Sequence, residues 1–434
     1  MDKSASEIKK QTDISASRWL FLLCFLVYCS SYIARGSFSF VRATMIDEGA
    51  IGVGVAAAVS AAYFIFYAVG QLVNGFLGDK LSPFWMVTVG LCVVIFSNAA
   101  MIIEQPSWLY AVWWGINGYG HSMLWSPVFF ILSNIINQRM RVFALTAISI
   151  CSPLGKIASA LVSSAAISGG RWQTVFFAVS IIITAVLLFW AARCLSLKKR
   201  MVVSVEKADD DSPKERDIKK IFAILLASGL AIMLPAMLAH GLFYNGVVEL
   251  IPTILYDEYG MSASMAAIIE IIIPILSIAG VFFANFVYYK MFKENDMRSA
   301  AFLMGITLLP IGIMLLLGIF KTDGYMIGQY PDAIIFVTTY ALVYLFQFAF
   351  NHVTIVLMSA RFARFSCAST VSGIANAINY GGSAISTYGM TYALMKLPLW
   401  QTVLIWAGVL IVATGLVSLA QYRWGRFAKE FKKT

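Results

Sequence analysis

The stretch Trp19–Phe40, WLFLLCFLVYCSSYIARGSFSF, decides how the rest of the chain is read. It is long enough to cross a bilayer as a helix, which takes about 20 apolar residues, yet it carries Arg35. A guanidinium keeps its proton inside a protein, and lodging one at bilayer depth costs at least about 2.5 kcal/mol on the mildest insertion scale. Tyr28 and Tyr32 precede Arg35 by seven and three residues, so all three share one helix face. That face is expected to look into protein or water and Arg35 to meet an anion there. The structural alternative is a side chain that snorkels to the interface near the helix end.

Outward from this stretch, the 434-residue chain is 60% apolar and 12% charged, with mean hydropathy +0.80, whereas soluble proteins carry about 25% charged residues. The expected class is an all-α polytopic membrane protein, its partner the lipid bilayer. Twelve stretches of spanning length are expected at about 18–39, 53–77, 84–103, 108–136, 142–168, 172–192, 221–251, 262–289, 298–320, 332–359, 367–393 and 399–421. With the N-terminus, the even-numbered loops and the C-terminus on one side, only Arg42, Arg171, Lys321 and Lys396 fall on the other side. Arg35 and Lys156 lie within spans, which leaves 26 of the 32 basic residues on the first side. Basic residues collect in the cytoplasm, so both termini are expected there, in what is read as a bacterial inner membrane. The net charge of +10 is therefore a topology signal. Its dispersal over loops argues against nucleic-acid binding.

Met1–Ser17 is polar, and the apolar stretch after it is too long for a cleavable signal, so the first span is expected to be retained. Cys24, Cys29, Cys92, Cys151, Cys194 and Cys367 lack metal-ligand spacing and are read as small packing residues. No P-loop pattern occurs and no nucleophile and base share a motif. No cofactor, no metal and no enzymatic activity are expected.

The polar interruption from 193 to 220 divides the spans into two sets of six. The expected organisation is a cytoplasmic segment 1–17, a six-helix half 18–192, a cytoplasmic linker 193–220, a second six-helix half 221–421 and a basic tail 422–434. Trp172, Gln173, Thr174 and Val175 recur as Trp400, Gln401, Thr402 and Val403, each set opening the sixth span of its half. Gly70 and Lys80 are echoed by Gly280 and Lys290. Parallel six-span repeats joined by a linker are the organisation of the major facilitator fold, whose substrate site lies near the midplane between the halves.

Tyr28–Gly49, YCSSYIARGSFSFVRATMIDEG, resembles the first span and adjoining loop of the organophosphate:phosphate antiporter family, which includes glycerol-3-phosphate and hexose-phosphate transporters. Similar pieces are Gly75–Pro83 (GFLGDKLSP), Trp125 to Pro127, Gln138 to Arg141, Pro252 with Thr253, and Gly381 with Gly382. The resemblance implies a twelve-helix secondary transporter, acting as a monomer on a small anionic solute, with Arg35 on the phosphate-binding arginine. It also shows departures. The family's second arginine, on the seventh span, reads here as Tyr244, a lysine of the second span as Gln71, and a histidine of the fifth as Ser152. Ser122, Leu124 and Ser126 replace two glycines and a proline of the fourth-span motif. Paired guanidinium groups make a strong oxyanion clamp, and half of that clamp is missing.

Other polar residues within spans complete the candidate site. Ser149, Ser152, Lys156, Ser159 and Ser163 recur at helical spacing around a cation, read either as a second anion contact or as a structural pair. Tyr63, Tyr67 and Gln71 share a face of the second span, and Ser372, Asn376, Asn379 and Ser383 form a stripe on the eleventh, read either as contacts for the organic part of a substrate or as interhelical hydrogen bonding and packing. His121 lies one turn from both Asn117 and Trp125 and is read as the best candidate proton carrier of the three histidines, or as a hydrogen-bonded histidine that does not titrate; His352 beside Asn351 is a candidate substrate contact, and His240 has less support. Asn245 and Glu249 on the seventh span and Glu270 within AAIIEIIIPIL face them from the second half, where a Lys156–Glu270 pair made and broken during rocking, or kept as a permanent bridge, is expected. Gly75, Gly78, Asp79 and Lys80 are read as a cytoplasmic gate. The corresponding YYKMFKENDMR after the eighth span lacks the glycines. Energy is expected from antiport or proton symport. The rival is a transporter-like membrane sensor of a phosphorylated sugar, and a carrier of carboxylates or less charged solutes is a further alternative.

Overall fold

The computed structural model describes residues 13–167, 171–205, 218–247, 251–261, 263–322 and 328–431, and every regular element among them is helical. In chain order these are α1 (Ile14–Asp47), α2 (Val53–Gly78), α3 (Pro83–Met101), α4 (Ser107–Phe130), α5 (Gln138–Ser149), α6 (Cys151–Ile167), α7 (Gln173–Val205), α8 (Ile218–Ser228), α9 (Leu230–Gly241), α10 (Ile251–Tyr259), α11 (Ala263–Asn285), α12 (Asp296–Ile306), α13 (Leu308–Thr322), α14 (Gln329–Asn351), α15 (Ser359–Arg361), α16 (Ala368–Lys396) and α17 (Leu399–Phe431).

These helices are inside out relative to water. α2 exposes Ile65, Phe66, Val69, Leu72 and Val73 while burying Tyr63, Tyr67, Gln71 and Asn74. Only a solvent as apolar as the exposed row makes that arrangement stable. Among the described residues, nine helices are long and apolar enough to cross a membrane, or ten if Phe222–Ser228 and Leu230–Tyr244, bent by 84°, form one span. The other two of the twelve expected stretches coincide with α4 and α16, which are helical but carry Asn117, His121, Asn376 and Asn379. Their lower hydropathy has a packing reason: α4 lies against α2 and α3, and α16 between α2 and α9, so both bury polar faces in protein. The architecture is consistent with twelve spans.

Three boundaries differ from expectation. α7 runs on to Val205 and α17 to Phe431, extending past the expected linker and tail boundaries, because neither Arg193 nor Tyr422 is a helix breaker. The stretch 221–251 is broken at Gly229, whose φ of 78° no β-branched or bulky residue adopts cheaply. The apolar run around it conceals the break from any hydropathy reading.

Helices of the first set meet those of the second along two seams, α2 with α16 and α6 with α11. The first is unusually tight. A Cβ at Gly373 would lie 2.7 Å from Gly75 Cα and 2.6 Å from the Gln71 carbonyl, so glycine on α16 lets the two backbones touch. Arg361 is fixed by Asp296 at 3.0 Å, by the Tyr288 hydroxyl at 2.6 Å and by the Glu294 carbonyl at 2.8 Å.

Candidate functional site

Arg35 does not snorkel. The rings of Tyr32, Tyr63, Phe64, Tyr67 and Tyr380 surround its guanidinium at 5.7, 5.3, 5.6, 5.9 and 4.8 Å, and Nη1 donates to the Tyr380 hydroxyl at 2.5 Å. Aromatic faces stabilise a desolvated cation by about 0.5–2 kcal/mol each. α1 and α2 supply four of the rings, whereas Tyr380 comes from α16, across the seam. Tyr28, Ser31, Tyr32, Arg35, Tyr63, Tyr67 and His121 enclose a cavity of about 10 Å³, room for one water molecule and far below the roughly 300 Å³ of a ligand pocket. The site is too small for a solute in this conformation.

Lys156 repeats the pattern. Its Nζ donates to the Tyr344 hydroxyl at 3.1 Å and lies 5.6 and 5.9 Å from the Tyr344 and Tyr244 rings, which stack at 5.6 Å and 5°. Tyr244 stands on a π-helical turn, Leu242–Val247, and its hydroxyl is 3.5 Å from Ser152 Oγ. At both positions a cation from the first set of helices is held by a phenol from the second. One tyrosine links them: a Cβ at Gly155, next to Lys156, would lie 3.4 Å from Tyr32 Cα.

The remaining candidates divide between this site and its frame. His121 is buried, with Nδ1 2.9 Å from the Asn117 carbonyl and Nε2 3.0 Å from that of Ser31, on the wall of the Arg35 cavity. Tyr28 and Tyr32 join hydroxyls at 3.3 Å. Trp125 packs on Tyr28 and crosses the seam to Ser372 Oγ at 2.8 Å. His352 is fully buried between Ser149, at 2.8 Å, and Asn285, at 3.3 Å. Gln71 packs against the Ser122 carbonyl at 3.4 Å. His240 sits between Gln347 and Asn351 at 2.9 and 3.2 Å. Asn376 and Asn379 are buried on α16, and Asn379 Oδ1 makes no hydrogen bond among the described residues. The side chains of Asn245 and Glu270, and Glu249 altogether, lie outside the described residues, as does the Lys156–Glu270 pair.

Sequence reasoning missed Tyr380 and Tyr344. Tyr380 lies four residues after Asn376, on the same face of the α16 stripe. Tyr344 belongs to a series on α14, Tyr340, Tyr344, Gln347 and Asn351, whose helical spacing was the available signal.

Gly75, Gly78 and Asp79 lie along one end of the α2–α16 seam. Asp79 accepts hydrogen bonds from Ser369 N at 3.3 Å, Thr370 N at 2.9 Å and Thr370 Oγ1 at 2.7 Å, and so caps α16. A carboxylate there satisfies orphan N–H groups and complements the helix dipole. Gly78 lies against Ser126 and Ser369, while Lys80 is exposed. Asp79→Asn keeps the shape and loses the charge, at a cost of about 1–2 kcal/mol. The seam is then expected to open about 5- to 30-fold more often, read as faster alkylation of a cysteine at Ser126. An unchanged rate would remove Asp79 from the gate.

Fold and site together define a polytopic integral membrane protein with a buried polar centre. Residues 20–387 match the Major Facilitator Superfamily, and the chain belongs to that family of transporters. Among its relatives, a probable hexose phosphate transport protein of Chlamydia trachomatis is 25% identical over 175 residues, 40% of this chain and 38% of that protein. Sugar phosphate exchanger 3 of Gallus gallus is 30% identical over 114 residues, 25% of this chain and 23% of the other. A putative glycerol-3-phosphate transporter 3 of Arabidopsis thaliana is 24% identical over 187 residues, covering 38% and 36%. The chain thus matches less than two-fifths of the length of each of these relatives.

Proposed function

We propose that this protein is a secondary active transporter of small anionic organic solutes, of the organophosphate or sugar-phosphate class. The observation that carries the reading is the pair of intramembrane cations, Arg35 and Lys156, each held by a phenol from across the seam. A phenol is a neutral acceptor that an anionic oxygen displaces at little cost, because charge-assisted bonds are about twice as strong. Substrate binding would exchange Tyr380 and Tyr344 for anionic oxygens and so release one set of helices from the other, which is what alternating access requires. Arg35 serves as the principal contact and Lys156 as the second, with Tyr28, Tyr32, His121 and Tyr244 shaping the cavity. The driving force is antiport or proton symport, with both termini cytoplasmic and a single chain as the working unit. The names of the relatives support the substrate class.

Counterflow in proteoliposomes tests this reading. Labelled glycerol 3-phosphate or hexose 6-phosphate is expected to accumulate against an internal pool of the same solute or of phosphate. Ligand binding without any counterflow would instead indicate a membrane sensor. Lys156→Gln is expected to weaken substrate affinity about tenfold, and combining it with Glu270→Gln should cost less than the two separate losses together. Strictly additive losses would refute coupling between Lys156 and Glu270.

A further inference from the structure

A second cavity, of about 350 Å³, opens between the end of the fourth span and the segment that leads into α16, the helix whose first turn Asp79 caps. Its walls include Ser133 and Asn134, which close the fourth span, Arg141 on α5, Arg361 on α15 and Arg364 from the turn that follows α15. It is separate from the Arg35 cavity and shares no residue with it. Its volume lies in the range of small-molecule sites. Three arginines line it, drawn from both sets of helices. The charge of Arg361 is offset by Asp296 at 3.0 Å and Glu294 at 3.6 Å, so the attraction for a ligand centres on Arg141. Arg141 Nε is buried and has no hydrogen-bond partner among the described residues. A buried charged donor left unsatisfied is costly, and an oxyanion in the cavity would satisfy it.

We propose that this cavity is a phosphate-group site, distinct from the transport site, and that its occupant ties the turn after the fourth span to the turn after the tenth. An anion bonded to Arg141 on one side and to Arg361 and Arg364 on the other bridges the two sets of helices, and it can do so only while this end of the seam is closed. Occupation therefore favours the conformation in which α2 and α16 touch. A free phosphate monoester or the phosphate of a lipid headgroup supplies the same chemistry. The site does not depend on the transport reading.

The test uses full-length protein in phosphatidylcholine nanodiscs, titrated with inorganic phosphate at constant ionic strength. Arg35→Gln is expected to retain a saturable isotherm, and Arg35→Gln with Arg141→Gln to bind at least about tenfold more weakly, the loss of one charge-assisted partner. Arg35→Gln with Arg141→Lys, which keeps the charge and loses the planar fork, falls between them. Phosphate should also slow alkylation of a cysteine at Ser126, and Arg141→Gln alone should abolish that protection, which keeps the test independent of how the Arg35 variant folds. Adding phosphatidylglycerol distinguishes the sources: a headgroup ligand competes phosphate out, whereas a free-phosphate site binds as before. No saturable phosphate binding in Arg35→Gln, or equal binding with and without Arg141, would overturn the proposal.

Discussion

Replacing Arg35 by glutamine is expected to reduce counterflow of phosphorylated solutes to about a thirtieth of wild type or less. Truncating one partner of a buried charge-assisted contact costs about 2–5 kcal/mol, and each 1.4 kcal/mol is tenfold in affinity. The variant should still fold, because Gln retains a donor for Tyr380 and sheds a charge whose burial opposes folding. Arg35→Lys is informative beside it. The ammonium keeps the charge and its aromatic surroundings but lacks a bidentate fork, so an intermediate loss of about tenfold is expected. Equal transport by the glutamine variant would place the substrate elsewhere.

Gly373→Leu is expected to abolish transport by a different route. The Cβ alone would stand 2.6 Å from the Gln71 carbonyl and 2.7 Å from Gly75 Cα, both backbone atoms that cannot rotate away. Overpacking of this kind costs about 1–3 kcal/mol or more, and it acts selectively on the conformation in which α2 and α16 touch. The variant should insert and remain monodisperse, and a cysteine at Ser126 should become readily alkylated. Substrate affinity should change less than turnover. Wild-type counterflow in Gly373→Leu would mean that the α2–α16 contact is not part of the cycle.

Much of this architecture was legible in the sequence because lipid imposes a simple rule on composition. The twelve stretches, the face shared by Tyr28, Tyr32 and Arg35, and the acid of the GFLGDKLSP motif could all be read locally. What the local pattern could not supply was pairing across the seam. Tyr380 is 345 residues from Arg35, and Thr370 is 291 from Asp79. Neither register follows from any periodicity within a helix. Gly229 was hidden for another reason: an apolar run reads the same whether straight or bent, and only the left-handed backbone conformation reveals the break. Polar faces are ambiguous for a further reason. The spacing of Gln71 suits a cavity or a helix contact equally well, and its amide nitrogen donates to the Ser122 carbonyl of α4, as buried amides of membrane helices do.

If Arg35 receives the anionic group of a transported solute, ligand-induced thermal stabilisation of the purified protein will depend on both the phosphate and the guanidinium. Hexose 6-phosphate and glycerol 3-phosphate should raise the melting temperature of wild type, the parent hexose and glycerol should not, and Arg35→Gln should lose the response to the phosphorylated compounds. Equal stabilisation by the unphosphorylated solutes, undiminished in Arg35→Gln, would contradict it.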